Sequence, residues 1–223
     1  MHMIASTQNL TPPPFLNYPK SHPSPTYIDF KKLIHPIFSL ESKLLDQPEF
    51  KIGLNWGVPR FGHPEGKVGY HIREVLENIE QLDTDESTYQ KLRIVAFVHD
   101  TFKYQEMETK VSGKRINHGL LARRFSEQYI DDEAVLDLIE LHDEIYYTWR
   151  QEALYKAPQK AKLRLNNLIS RIGKNLQLHY LFFRCDTMTG DKIQTPRFWF
   201  EQKAVEIGGK PFEKLLTQLN ELS

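Results

Sequence analysis

The sequence predicts an all-α protein, and three observations carry that prediction. Apolar residues recur at the three- and four-residue spacing of a helix face over most of the chain. No stretch of useful length alternates apolar and polar residues as a half-buried strand does, and no internal repeat is present. Residues that start helices, among them Asn117, Asp131, Asp132 and Pro158, fall at the ends of the periodic segments.

Taken in order, residues 1–28 carry Thr11-Pro12-Pro13-Pro14 and Ser21-His22-Pro23-Ser24-Pro25, which favour polyproline or turn backbone, and predict an arm. Residues 28–45 predict a helix through Leu33, Ile37, Leu40, Leu44 and Leu45, with Pro36 in its first turn or at a kink. A turn-rich loop over 58–69 leads to an amphipathic helix with Val68, His71, Ile72, Val75, Leu76 and Ile79 on one face. The next helix, about 89–102, is apolar nearly all round and is therefore central. The polar run 103–114 predicts a loop, with a short hairpin over 104–116 as an alternative. Asn117 caps a helix over 118–129. Asp131 and Asp132 cap one that carries Val135, Leu138, Ile139, His142, Tyr146 and Trp149 inward. Pro158 opens a helix through Ile172, another runs over 176–187, and a last one over 211–222 follows the aromatic cluster Phe198-Trp199-Phe200. That cluster could pack on the bundle or pair subunits in a homodimer.

The 223-residue chain carries 29 basic and 29 acidic side chains, so it lacks the basic surface of a dedicated nucleic-acid binder. A single cysteine, Cys185, allows no intrachain disulfide and suits a reducing compartment. No apolar run approaches the ~20 residues a membrane helix needs. The start of the chain lacks a secretory pattern. The expectation is a cytoplasmic protein without a membrane partner.

The chemistry concentrates in histidines and aspartates. His71, His99 and His142 each fall on an apolar helix face, and His118 opens another helix. Buried imidazoles need partners, and a shared divalent metal supplies one for all of them together with Asp100 and Asp186. Lys103 stands at the same helix end as Asp100, suited to a phosphate. Arg123 and Arg124 lie about one turn beyond His118. His63 and Glu65 lie in the loop before His71, where they line the site or hold a ligand histidine. Asp143 is expected to turn away from His142, facing solvent or supporting a ligand from behind, His179 to serve the core or to touch the site, and Cys185 to be buried. Pocket walls are expected from 103–116, from 143–158 and from the N-terminal arm.

The order His71, His99-Asp100, Asp186 resembles the HD-domain superfamily of metal-dependent phosphohydrolases. The stretch Gly62-His63-Pro64-Glu65-Gly66-Lys67-Val68-Gly69-Tyr70-His71 is similar to the approach to the first metal histidine in HD domains of some bacterial tRNA nucleotidyltransferases. His99-Asp100-Thr101-Phe102-Lys103 is similar to the family's His-Asp-x-x-Lys run, with Phe102 where another version carries glycine. The resemblance covers residues 58–190 and implies an HD-domain helical bundle there. Residues 1–57 become an N-terminal arm and helix packing on that body, and 191–223 a C-terminal tail and helix.

The resemblance further implies one or two divalent transition-metal ions (Mn, Fe, Co, Ni or Zn). His71, His99, Asp100 and Asp186 would hold the first ion. His118 and His142 would hold the second, with Asp100 bridging. Metal-activated water would then attack a small phosphoester, a nucleotide or a related phosphomonoester or diester. Asp100 and Lys103 would act in catalysis, and Lys103, Arg123, His63 and Glu65 would face the substrate. A minority of HD proteins with this ligand pattern are di-iron oxygenases, which is the alternative enzyme reading. A non-catalytic regulatory module that binds metal or nucleotide is the third.

Overall fold

A computed structural model describes residues 28–221; the proline-rich arm before Ile28 and the chain end at Leu222 lie outside the described residues. The helices, in chain order, are α1 (Lys31–Ile34), α2 (Ser39–Leu45), α3 (Pro48–Asn55), α4 (Val68–Glu80), α5 (Glu86–Val98) and α6 (Lys103–Val111), then α7 (His118–Ser126), α8 (Glu133–Leu141), α9 (Glu144–Ala153), α10 (Pro158–Ile172), α11 (Leu176–Thr187) and α12 (Thr195–Glu221). No strand occurs among the described residues; an isolated bridge joins Arg60 to His63 in the turn before α4. No helix among them is long and apolar enough to cross a membrane.

The second half of helix α5 is the axis of the core, as the apolar run Leu92–Val98 requires. Asp85 caps it by accepting from Thr88 N at 3.0 Å. Leu92, Val95, Ala96, Phe97 and Val98 are wholly buried against α4, α8 and α11. Each of these side chains except Ala96 contributes on the order of 1.5–3 kcal/mol on leaving water. A charged residue also lies on this axis. Arg93 bonds Glu41 of α2 through Nε at 2.7 Å and Nη2 at 3.1 Å, both side chains buried. Glu41 in turn accepts from the backbone N–H groups of Ile37 and Phe38. This pair ties the N-terminal segment to the centre.

Four expectations from the sequence need correction. The helix over 28–45 is two helices, parted at His35-Pro36, because His35 adopts a left-handed φ of 51° and proline cannot continue the ladder. The expected loop over 103–114 is largely helix α6. Its polar side chains form local bonds, Thr109 to Ile116 N and Glu106 to Arg115, in place of an apolar stripe. The single helix through His142 breaks there into α8 and α9, although its apolar period runs on undisturbed across the break. Helix α12 begins at Thr195 rather than 211 and bends at Gly209. Its Phe200 and Phe212 are fully buried on Tyr180 of α11, so these members of the aromatic tail pack on the bundle. Helix α3, opened by Pro48, adds an element that the periodicity did not mark.

Two glycines set how closely the site-bearing elements approach. A Cβ on Gly53 would lie 1.9 Å from the Thr101 carbonyl oxygen, so α3 rests directly on the turn that carries Asp100. A Cβ on Gly119 would lie 2.4 Å from the Glu140 carbonyl oxygen, so α7 meets α8 backbone to backbone beside His118 and His142.

Candidate metal centre

Asp100 sits in the turn after α5 with its side chain buried, and its two oxygens face different pairs of histidines. Oδ2 lies 3.6 Å from His71 Nε2 and 3.6 Å from His99 Nε2. Oδ1 lies 3.4 Å from His118 Nε2 and 3.5 Å from His142 Nε2. Asp186, from the last turn of α11, completes the first group with Oδ1 at 2.8 Å from His71 Nε2 and 3.7 Å from His99 Nε2. Asp143 joins the second, with Oδ2 at 3.5 Å from His118 Nε2 and 3.8 Å from His142 Nε2. The helix break turns Asp143 inward, against the expectation from an unbroken helix.

The far side of each ring is fixed. His99 Nδ1 donates to Ala96 O at 3.0 Å and His142 Nδ1 to Ile139 O at 2.8 Å, both carbonyls that can only accept. His118 Nδ1 donates to the Glu106 carboxylate at 2.6 Å. His71 Nδ1 lies 3.3 Å from Thr189 Oγ1, whose hydroxyl proton is already donated to Asp186 O, so the ring donates there too. Every Nδ1 therefore carries a proton, and every neutral ring presents a bare Nε2 to the centre. Those nitrogens stand 3.3 Å apart in the His71–His99 pair and 3.1 Å apart in the His118–His142 pair.

Facing nitrogens at such distances repel unless a cation, either a metal ion or a proton, lies between them. An ion about 2.1 Å from its ligands places neighbouring ligand atoms about 3.0 Å apart in octahedral and about 3.4 Å apart in tetrahedral geometry. The distances above bracket these values. Asp100 Oδ1 is buried without a well-aligned hydrogen bond, which leaves its lone pairs open to a cation. His71, His99 and Asp100, and likewise Asp100, His118 and His142, are thus groups that could hold a metal ion. His63, Glu65 and His71 also lie within ligand distance, but Glu65 Oε1 there accepts from His63 Nδ1 at 2.9 Å and lies 3.6 Å from His71 Nδ1, which explains the grouping without an ion.

The electrostatics divide the centre. Burial pushes His71 down to about 4, helped by the Lys192 ammonium. Burial opposes charge on His118 as well, but the adjoining carboxylates of Asp100 and Glu106 outweigh it and raise that ring to about 9. The bond to His118 draws Glu106 down to about 2. Burial would raise Asp100 and Asp186, yet Lys103 beside the one and Lys192 beside the other hold both well below the usual carboxylate range.

A pocket of about 320 Å3 opens onto Asp100, Asp143 and Asp186. Its walls include Lys103, Asp143 and Tyr146, from the segments the sequence named, but most come from Arg60–His63 and from Phe183–Pro196. His63 lines it, with Glu65 behind. Lys103 reaches Asp100 Oδ2. Arg123 does not reach the pocket: it is bound by Glu127, Asp137 and Glu133, since five residues beyond His118 lies about 140° around the helix. Arg124 is exposed. His179 is a core residue that donates to Leu141 O, and Cys185 is buried. Sequence reasoning missed Glu106, Thr189 and Lys192, each in a segment without apolar period.

The fold and the site thus define an all-helical protein with buried His/Asp groups able to hold metal, an arrangement compatible with an HD domain. No family model, no curated protein and no solved structure matches the chain.

Proposed function

We propose that the protein is a metal-dependent hydrolase of small phosphoesters acting at the Asp100 centre. The observation that carries this reading is the convergence of four imidazole Nε2 atoms on the two oxygens of one buried aspartate. Divalent ions held there would make hydroxide available near neutral pH and offset charge on phosphoryl oxygens. Asp100 fixes the spacing of the two ligand groups. Glu106, Thr189 and the carbonyls of Ala96 and Ile139 keep each ring in its ligand tautomer. Lys103, at the pocket wall, supplies a charge-assisted bond to a phosphate. The pocket is closer to the size of a small ligand than of a polymer.

Protein purified without chelator is expected to carry transition metal, measured by mass spectrometry, and to release phosphate from a panel of phosphoesters with manganese or cobalt. Absence of bound metal, with none taken up on addition, ends the reading. Oxygen uptake with iron and no phosphate release would replace it with an oxygenase.

A further inference from the structure

Lys192 lies on the segment between α11 and α12, beyond Asp186, the last site residue that the sequence pattern marks. Its Nζ donates to Asp186 Oδ1 at 2.8 Å and to the Asp186 carbonyl at 3.0 Å. The same Oδ1 stands 2.8 Å from His71 Nε2. The ammonium therefore occupies the edge of the first ligand group, where it does for Asp186 what a metal ion would do. It also lines the pocket, with its side chain 17% exposed, beside Ile193 and near Phe183 and Pro196.

We propose that Lys192 is the specificity-determining cation of this pocket: it holds Asp186 while the first group lacks its ion, and turns onto the phosphoryl group of a phosphomonoester dianion once Asp186 is engaged. The proposal deepens the hydrolase reading and rests on it. Two cations cannot share one carboxylate oxygen at bonding distance without strong repulsion, so an ion at Asp186 frees the ammonium. A flexible four-carbon stem lets it swing into the pocket. Charge then selects the ligand. Arg60, Lys103 and Lys192 balance Asp100, Asp143 and Asp186 one for one around the pocket. A divalent ion in the first group adds two positive charges beyond that balance. A phosphomonoester carries two negative charges above its second pKa of about 6, whereas a diester carries one. The apolar side chains next to Lys192 suit an uncharged organic body on that phosphate.

The test measures binding rather than turnover, on the full chain, by calorimetry with Mn2+ alone and then with phenylphosphonate and its monomethyl ester on the Mn2+-loaded protein. Lys192→Gln is expected to bind Mn2+ at least as tightly as wild type. It should bind phenylphosphonate about ten- to a hundredfold more weakly and lose the preference for the dianion over the monoester. Lys192→Arg should keep that preference. If Lys192→Gln loses Mn2+, the lysine supports Asp186 structurally and the proposal is overturned. It is equally overturned if the glutamine variant binds phenylphosphonate as wild type does, or if wild type takes up no Mn2+, in which case the hydrolase reading falls with it. Dianion selection by wild type and its loss in Lys192→Gln, without turnover of any ester, would uphold the proposal while the hydrolase reading fails.

Discussion

The two ligand groups share Asp100 but neutralise their carboxylates by different means. Around His71 and His99, lysines do it: Lys103 stands on Asp100 and Lys192 on Asp186, and His71, pushed down to about 4, stays neutral. Around His118 and His142, a proton does it. Glu106, Asp143 and Asp100 surround His118, and that ring, raised to about 9, carries the positive charge itself. The contrast shows two stand-ins for a metal ion in one centre. One must swing away and the other must leave as a proton, so filling the two groups has different costs and different observable consequences.

The comparison breaks most completely at the residue both groups share. Asp100→Ala removes the one carboxylate that faces all four imidazole nitrogens. Bound metal is expected to fall from its wild-type stoichiometry to near zero, with any activity lost and helical circular dichroism kept. Residues that merely orient a ligand already cost about ten- to a hundredfold in affinity, so the loss here should exceed that. Metal content at the wild-type level in Asp100→Ala would refute the shared centre.

Gly119→Ala strikes one side only. Its methyl group would meet the Glu140 carbonyl oxygen, so α7 must move off α8 and carry His118 away from His142. A destabilisation of roughly 1–3 kcal/mol is expected in denaturant unfolding. Metal titration should lose the second group and retain the first. Simultaneous loss of both would mean that the groups are mechanically coupled rather than separable.

Glu106→Gln is the milder cut. It leaves His118 in place and removes the carboxylate that fixes its tautomer. Affinity at the second group should drop about ten- to a hundredfold with the first unchanged, as read by calorimetry. Equal weakening of both would erase the distinction between them.

Much of this centre was legible in the sequence because its residues sit where helix periodicity can see them. His71 and His142 lie on apolar faces, and His99-Asp100 closes the apolar run Leu92–Val98. Proline and an apolar onset placed α10 and α11 at their observed bounds. What stayed hidden has physical reasons. Glu106 is one polar residue in a polar run, and only the fold brings it twelve positions along to His118. Lys192 follows Asp186 in a segment that obeys no period. Asp143 was misplaced because the apolar stripe continues across the break that turns it inward. Arg123 was misplaced because nearness along a helix says nothing of the face, which here looks onto the acidic side of α8.

The smallest effect is the most discriminating, because it reads the proton directly. His118 has its folded pKa raised from 6.5 to about 9. Its charge therefore stabilises the metal-free fold fully below 6.5, and that stabilisation is lost as pH rises through 9. His71 has its folded pKa lowered from 6.5 to about 4. The unfolded chain takes up that proton first, so His71 costs stability as pH falls from 6.5 toward 4 and contributes nothing to the slope above 6.5. Between pH 6.5 and 9, of these two rings only the His118 side should lower the melting temperature of the metal-free protein, and Glu106→Gln should flatten that decline. The same asymmetry appears on loading at pH 7.5. An ion entering the second group is expected to displace the His118 proton, whereas in the first group His71 holds no such proton to release. Calorimetric Mn2+ titrations in two buffers of unlike ionisation enthalpy measure both numbers. Equal proton release in the two steps would show that His118 and His71 start from the same charge state, and the division between a lysine-balanced and a proton-balanced half would fail.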